Sequence, residues 1–110
     1  MDKKKAQRLD AAGWAVGDAG DFLELTEEER AFIETKLALA VAVRDRRKRR
    51  KLSQTQLARK LGSSQSRVAK MEAADPSVSL DLLVRSLLSL GATQGDIAKA
   101  IRKGVSRSAA

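Results

Sequence analysis

From Ser53 to Glu72 the chain has little freedom: two short helical patterns, each introduced by serine, meet at a single glycine. Ser53 opens the first pattern with Gln56 three residues on, the spacing of a capping box, and Leu57, Ala58 and Leu61 form its apolar stripe. Gly62 ends it, where the backbone must turn left-handed. Ser63 or Ser64 then caps the second pattern, Gln65 to about Ala73, whose inward residues are Val68 and Met71. Two helices locked across a tight turn need a small residue where they cross, a turn residue that tolerates positive φ, and apolar anchors. Ala58, Gly62 and the set Leu57, Leu61, Val68 and Met71 meet those needs. Once these residues are buried, Gln65, Ser66, Arg67 and Lys70 must face outward from the start of the second helix.

The flanks are helical as well. Thr26 and Glu29 form a second capping box, Glu27 to Glu29 favour the positive end of the helix dipole, and Phe32, Ile33, Leu37, Ala40 and Val41 follow at helical spacing. This helix is expected to reach about Arg50, ending in the basic run Arg44, Arg46, Arg47, Lys48, Arg49, Arg50 and Lys51. After Asp75 and Pro76, Ser79 caps a leucine-rich helix that Gly91 stops, and Thr93 with Asp96 caps a short last helix carrying Ile97 and Ile101. Residues 104–110 read as a disordered tail, residues 26–103 as the folded domain, and residues 1–25 as an N-terminal extension. No run alternates apolar and polar residues long enough to make a strand. The fold class expected is all-α, a compact bundle of four to five helices.

With 110 residues there is room for one domain. The chain has no Cys and no His, which removes disulfides, thiolate nucleophiles, imidazole bases and the usual zinc ligands together. Its carboxylates are scattered without a paired constellation, so a carboxylate-based nuclease is disfavoured and neither an enzyme nor a cofactor or metal is expected. The longest apolar run, Leu37 to Val43, is far short of the ~20 residues a membrane span requires. Lys3 to Lys5 are not followed by the apolar stretch of an export signal, which points to a cytoplasmic location. Charge is unevenly placed. Residues 1–29 hold four Lys/Arg against eight Asp/Glu, and residues 30–110 hold eighteen against six. That asymmetry suits a phosphate-binding body with an acidic appendage.

The stretch from Leu52 to Glu72 resembles the XRE family of phage repressor/Cro-like helix-turn-helix regulators, and the resemblance extends over about residues 39 to 90. It implies a lambda-repressor-like bundle that binds double-stranded operator DNA, commonly as a homodimer, with the helix beginning at Gln65 in the major groove. It assigns Gln54 to a backbone phosphate and Gln65, Ser66 and Lys70 to base edges. The chemistry agrees, because Gln can bond adenine N6 and N7 together and Lys can donate to guanine O6 or N7. Arg67 is expected to meet a base or a phosphate beside them, and Arg59 a phosphate. The family also pairs an Arg late in the first helix with the Glu closing the third, here Arg47 and Glu72. Two departures stand out: Lys51 and Ala74 occupy positions where the family usually has Gly, which puts both turns in question.

Residues 12–23, acidic and carrying Trp14, Phe22 and Leu23, together with the long helix that follows, resemble small XRE proteins of the HigA antitoxin type. That resemblance implies a RelE/HigB-like basic toxin as partner and repression of the protein's own operon. An acidic segment with embedded aromatics is a suitable dock for a basic protein. Other readings of the chain are an XRE repressor without a toxin partner, an extension that only packs on the bundle, and an interaction module using the helix pair as a scaffold.

Overall fold

The computed structural model describes residues 24–109. Five helices follow one another among them: α1 Glu27–Arg49, α2 Gln54–Leu61, α3 Gln65–Glu72, α4 Leu80–Ser89 and α5 Gln94–Ala109. Local chemistry sets their starts. The Thr26 hydroxyl accepts from the Glu29 amide at 3.0 Å while the Glu29 carboxylate accepts from the Thr26 amide at 3.1 Å, and Ser53 with Gln56 repeats the arrangement at α2. Ser64 rather than Ser63 caps α3, and Ser79 caps α4. At α5 the Asp96 carboxylate and the Thr93 hydroxyl exchange the same pair of bonds, which holds the Asp96 carboxyl below its ordinary pKa.

The first four helices end alike. At each, one residue turns left-handed, and the amide after it bonds back to the carbonyl five residues earlier, from Leu52 to Arg47, Ser63 to Ala58, Asp75 to Lys70 and Ala92 to Leu87. The left-handed residues are Lys51 (φ 58°), Gly62 (φ 65°), Ala74 (φ 54°) and Gly91 (φ 89°). Lys51 and Ala74 therefore keep the turn that glycine would make without strain. The surrounding bonds and packing force a backbone that an L side chain adopts at about 1–2 kcal/mol.

The core lies where α1, α2, α3 and α4 converge. Val43 of α1, Leu57 of α2, Val68 and Met71 of α3, and Leu83 of α4 are each fully enclosed, and Ala58 is buried where α2 and α3 meet. Leu61 is only half-buried at the margin. α2 packs on α3, while α1 crosses α3, α4 and α5. Ser86 is buried in this apolar setting, but its hydroxyl donates to the Leu82 carbonyl at 2.7 Å and so does not go unsatisfied.

The tail differs from the sequence expectation. α5 is not short, and the chain does not lose its helix at Gly104; it remains helical to Ala109. A Cβ at Gly104 would lie 2.4 Å from the Ala38 Cβ, so this glycine permits the close approach of α5 to α1 and does not terminate the helix. The Arg46–Asp96 ion pair, 3.2 Å, joins the same two helices nearer the start of α5. The extension through residue 23, with Trp14, Phe22 and Leu23, lies outside the described residues.

Arg47 of α1 and Glu72 of α3 tie the two ends of this architecture together. The guanidinium meets the carboxylate through two bonds, Nε to Oε2 at 2.6 Å and Nη2 to Oε1 at 3.0 Å, and a third N–H donates to the Leu52 carbonyl at 2.8 Å. Both side chains are largely enclosed, at 11% and 5% exposure. That bonding raises the Arg47 pKa above its ordinary value.

Two stability measurements follow. In chemical denaturation, Lys51→Gly should stabilise by about 0.5–1 kcal/mol, the relieved strain exceeding the added freedom of the unfolded chain; Ala74→Gly should come out near zero, because the same relief is offset by loss of a buried methyl. Glu72→Ala should cost at least about 2 kcal/mol by stranding the Arg47 charge, whereas Arg85→Ala, which removes the exposed Arg85–Asp81 pair, should cost under about 0.5 kcal/mol.

Candidate nucleic-acid interface

The outward face of α3 is polar apart from Ala69. Gln65, Ser66, Arg67 and Lys70 are all exposed, and Val68 and Met71 on the opposite side are fully buried. Because α3 is pinned by the apolar side and by Glu72 at its C-terminus, the exposed side chains project from a backbone of fixed orientation. Sequence reasoning passed over Ala69. It follows Gln65 by four residues, shares that side of the helix and is half-buried, and its methyl is of the kind that meets a thymine methyl. An alanine in an otherwise polar face carries no sequence signal of its own.

Gln54 is placed less simply than its assigned role suggests. It is half-buried at the first position of α2, where its Nε2 donates to Glu72 Oε1 at 3.1 Å and its Oε1 accepts from Gln65 Nε2 at 2.7 Å. The structure thus brings four of the selected residues into one chain of hydrogen bonds, Arg47 to Glu72 to Gln54 to Gln65. A second Nε2 proton of Gln54 is left over for an anion at the start of α2, where backbone amides also point outward. Ser66 and Lys70 lie on the exposed face outside that chain. Arg67 stands on the other flank of the helix, and Arg59 is exposed in the last turn of α2.

The basic block at the end of α1 does not act as one patch. Successive residues point about 100° apart around a helix, so the seven cations are shared among different neighbours. Arg46 pairs with Asp96 of α5, Arg47 with Glu72 of α3, and the Arg50 guanidinium lies against Gly91, where an added Cβ would come within 2.5 Å of it. Arg44, Lys48, Arg49, Arg50 and Lys51 remain exposed. At the far end of α3, the Asp75 carboxylate accepts from the Ser77 hydroxyl at 2.6 Å and amide at 2.9 Å, which lowers its pKa. This anion bounds the basic surface on that side.

No group of His, Cys, Asp or Glu suited to hold a metal occurs among the described residues, and none of their helices is long and apolar enough to cross a membrane. A cleft between α1 and α5 is lined by Ala42, Ile97 and Ala100 with Arg49, Lys103 and the carboxylates of Asp45 and Asp96, the latter engaged by Arg46 and Thr93.

Comparison with known proteins gives a match over the segment that carries α2 and α3. Residues 43–85 match the family described as Helix-turn-helix, a span from the last turns of α1 through α2 and α3 into α4 that contains both partners of the Arg47–Glu72 pair. Searches among curated proteins and among solved structures return no match. Over residues 43–85 the chain is therefore similar to the helix-turn-helix family.

Proposed function

We propose that the protein is a sequence-specific transcriptional regulator that lays α3 in the major groove of operator DNA. Gln65, Ser66 and Lys70 read base edges, Gln54 and Arg59 hold phosphates, and Arg67 meets a base or a phosphate at the flank. The observation that carries this reading is the polar, exposed face of α3 on a helix held rigidly from behind by Val68, Met71 and Glu72. The reading includes a homodimer, since one short helix spans only a few base pairs and two placed about one DNA turn, ~34 Å, apart give adequate specificity. Phe32 on α1 and Leu88 on α4 are the large apolar side chains most exposed among the described residues, at 50% and 48%, and mark two candidate dimer faces.

The reading extends to autorepression and to an antitoxin role beside a RelE/HigB-like toxin. What supports that extension is the acidic composition of residues 12–23 with Trp14, Phe22 and Leu23, set against a basic partner. Co-expression with the product of an adjacent toxin-like gene tests it: a stable complex that is lost when residues 1–23 are deleted supports the role. Failure to capture the toxin, or capture unaffected by the deletion, removes the role assigned to the extension.

Affinity for DNA should fall steeply with salt, by about 0.9 in log affinity per phosphate contact for each decade of salt, and Arg59→Ala should reduce that slope by about 1 while weakening all sequences alike. Titration at several salt concentrations checks this, and a flat dependence contradicts it. Selection from random DNA should yield a near-palindromic site. On that site Gln65→Ala or Lys70→Ala should each cost about 1–3 kcal/mol and relax the preference at one base position. Unchanged preference in both variants would show that the reading face lies elsewhere.

A further inference from the structure

We propose that Glu72 is a positioning residue for base selection: through Gln54 it fixes which way the Gln65 amide faces, and so makes Gln65 select adenine over guanine. The inference rests on the DNA-reading proposal and deepens it. Its warrant is the direction of the hydrogen bonds. An ionised carboxylate only accepts. Glu72 Oε1 already receives Arg47 Nη2 at 3.0 Å, and the Gln54 group 3.1 Å from it must be the NH2 end. The carbonyl end of Gln54 is then the one that faces Gln65, 2.7 Å away, and an acceptor there requires the NH2 end of Gln65 opposite it. A side-chain amide that rotates freely in isolation is thereby set by a charge two residues removed along the bond chain.

The orientation has a consequence for bases. Gln65 is left with one N–H on the side toward Gln54 and its carbonyl oxygen on the side away from it. A purine presents N7 toward its own strand's backbone and its 6-substituent toward the middle of the groove. With Gln54 at the phosphate edge, the remaining N–H meets N7 and the carbonyl oxygen meets the 6-position. Adenine offers a donor there, the N6 amino group, and completes the pair of bonds; guanine offers O6, and two acceptors face each other. The adenine read is the one on the strand whose phosphate Gln54 holds. Without the carboxylate the Gln65 amide turns over or donates both protons, and guanine becomes acceptable.

Two variants separate the relay from the fold. Glu72→Gln keeps the size of the side chain and still accepts from Arg47, but its own amide can offer an N–H to Gln54, so the direction is no longer imposed. Gln54→Met removes the link and leaves the Arg47–Glu72 pair whole. The measurement is the ratio of affinities for adenine and guanine at the position that Gln65→Ala relaxes in random-site selection, with thermal unfolding run alongside. Wild type should favour adenine by roughly five- to a hundred-fold, and both variants should bring the ratio to within about threefold. A lower affinity for all sequences in Gln54→Met reflects the phosphate contact and leaves the ratio as the readout. Adenine preference retained in either variant overturns the relay while the DNA-reading proposal stands. A wild type that selects no site overturns that proposal itself, and the relay with it. Should Glu72→Gln not fold, Gln54→Met decides alone.

Discussion

The bidentate contact between Arg47 and Glu72 is the constraint on which the rest depends. α2 and α3 are eight residues each, too short to be stable helices on their own in water, and they persist because tertiary contacts hold them. Burial of Leu57, Val68 and Met71 supplies most of that support, but apolar contact is non-directional and leaves rotation of α3 weakly specified. The ion pair supplies direction. It joins the end of α3 to the last turns of α1 through two planar bonds, and its third N–H ties in the Leu52 carbonyl at the entrance to α2. Three elements thus meet at one guanidinium, a geometry that a lysine in that place could not reproduce. Such a pair adds less to stability than its Coulomb energy suggests, because both ions are taken out of water; its larger effect is to fix an arrangement.

What was legible in the sequence was local. Caps at Thr26, Ser53, Ser79 and Thr93 depend on residues three positions apart, and each is found where the spacing placed it. The turn at Gly62 needs a left-handed residue, and glycine announces it. Lys51 and Ala74 announce nothing of the kind, yet both turns persist, because the returning amide bonds and the packing on either side over-determine the backbone there. Gly104 misled for the opposite reason. A glycine serves either a left-handed stop or a close helix approach, and only the position of Ala38 across the interface shows which.

The charge pattern was legible in its sum and not in its distribution. Along the chain, Arg44 to Lys51 look like one phosphate-binding strip. Around the helix they part, and Arg46, Arg47 and Arg50 are directed to α5, α3 and the end of α4 respectively. Two of those cations are consumed in internal pairs, so the exposed positive charge is carried by fewer residues than composition implies. The Gln54–Gln65 bond was also beyond sequence reasoning. It joins residues eleven apart on different helices and depends on how closely α2 and α3 approach.

The central claim is that the ion pair aims α3 and is not simply one more stabilising contact. Replacing both partners at once, Arg47→Met with Glu72→Met, removes two buried charges together and should leave the fold's stability within about 1–2 kcal/mol of wild type. The decisive quantity is the ratio of affinities of this folded double variant for the selected site and for a scrambled one. If the pair aims the recognition helix, that ratio should drop by roughly tenfold or more although the protein melts as one cooperative unit, a loss on the scale of one base contact. A double variant that is folded and discriminates as well as wild type would contradict the account.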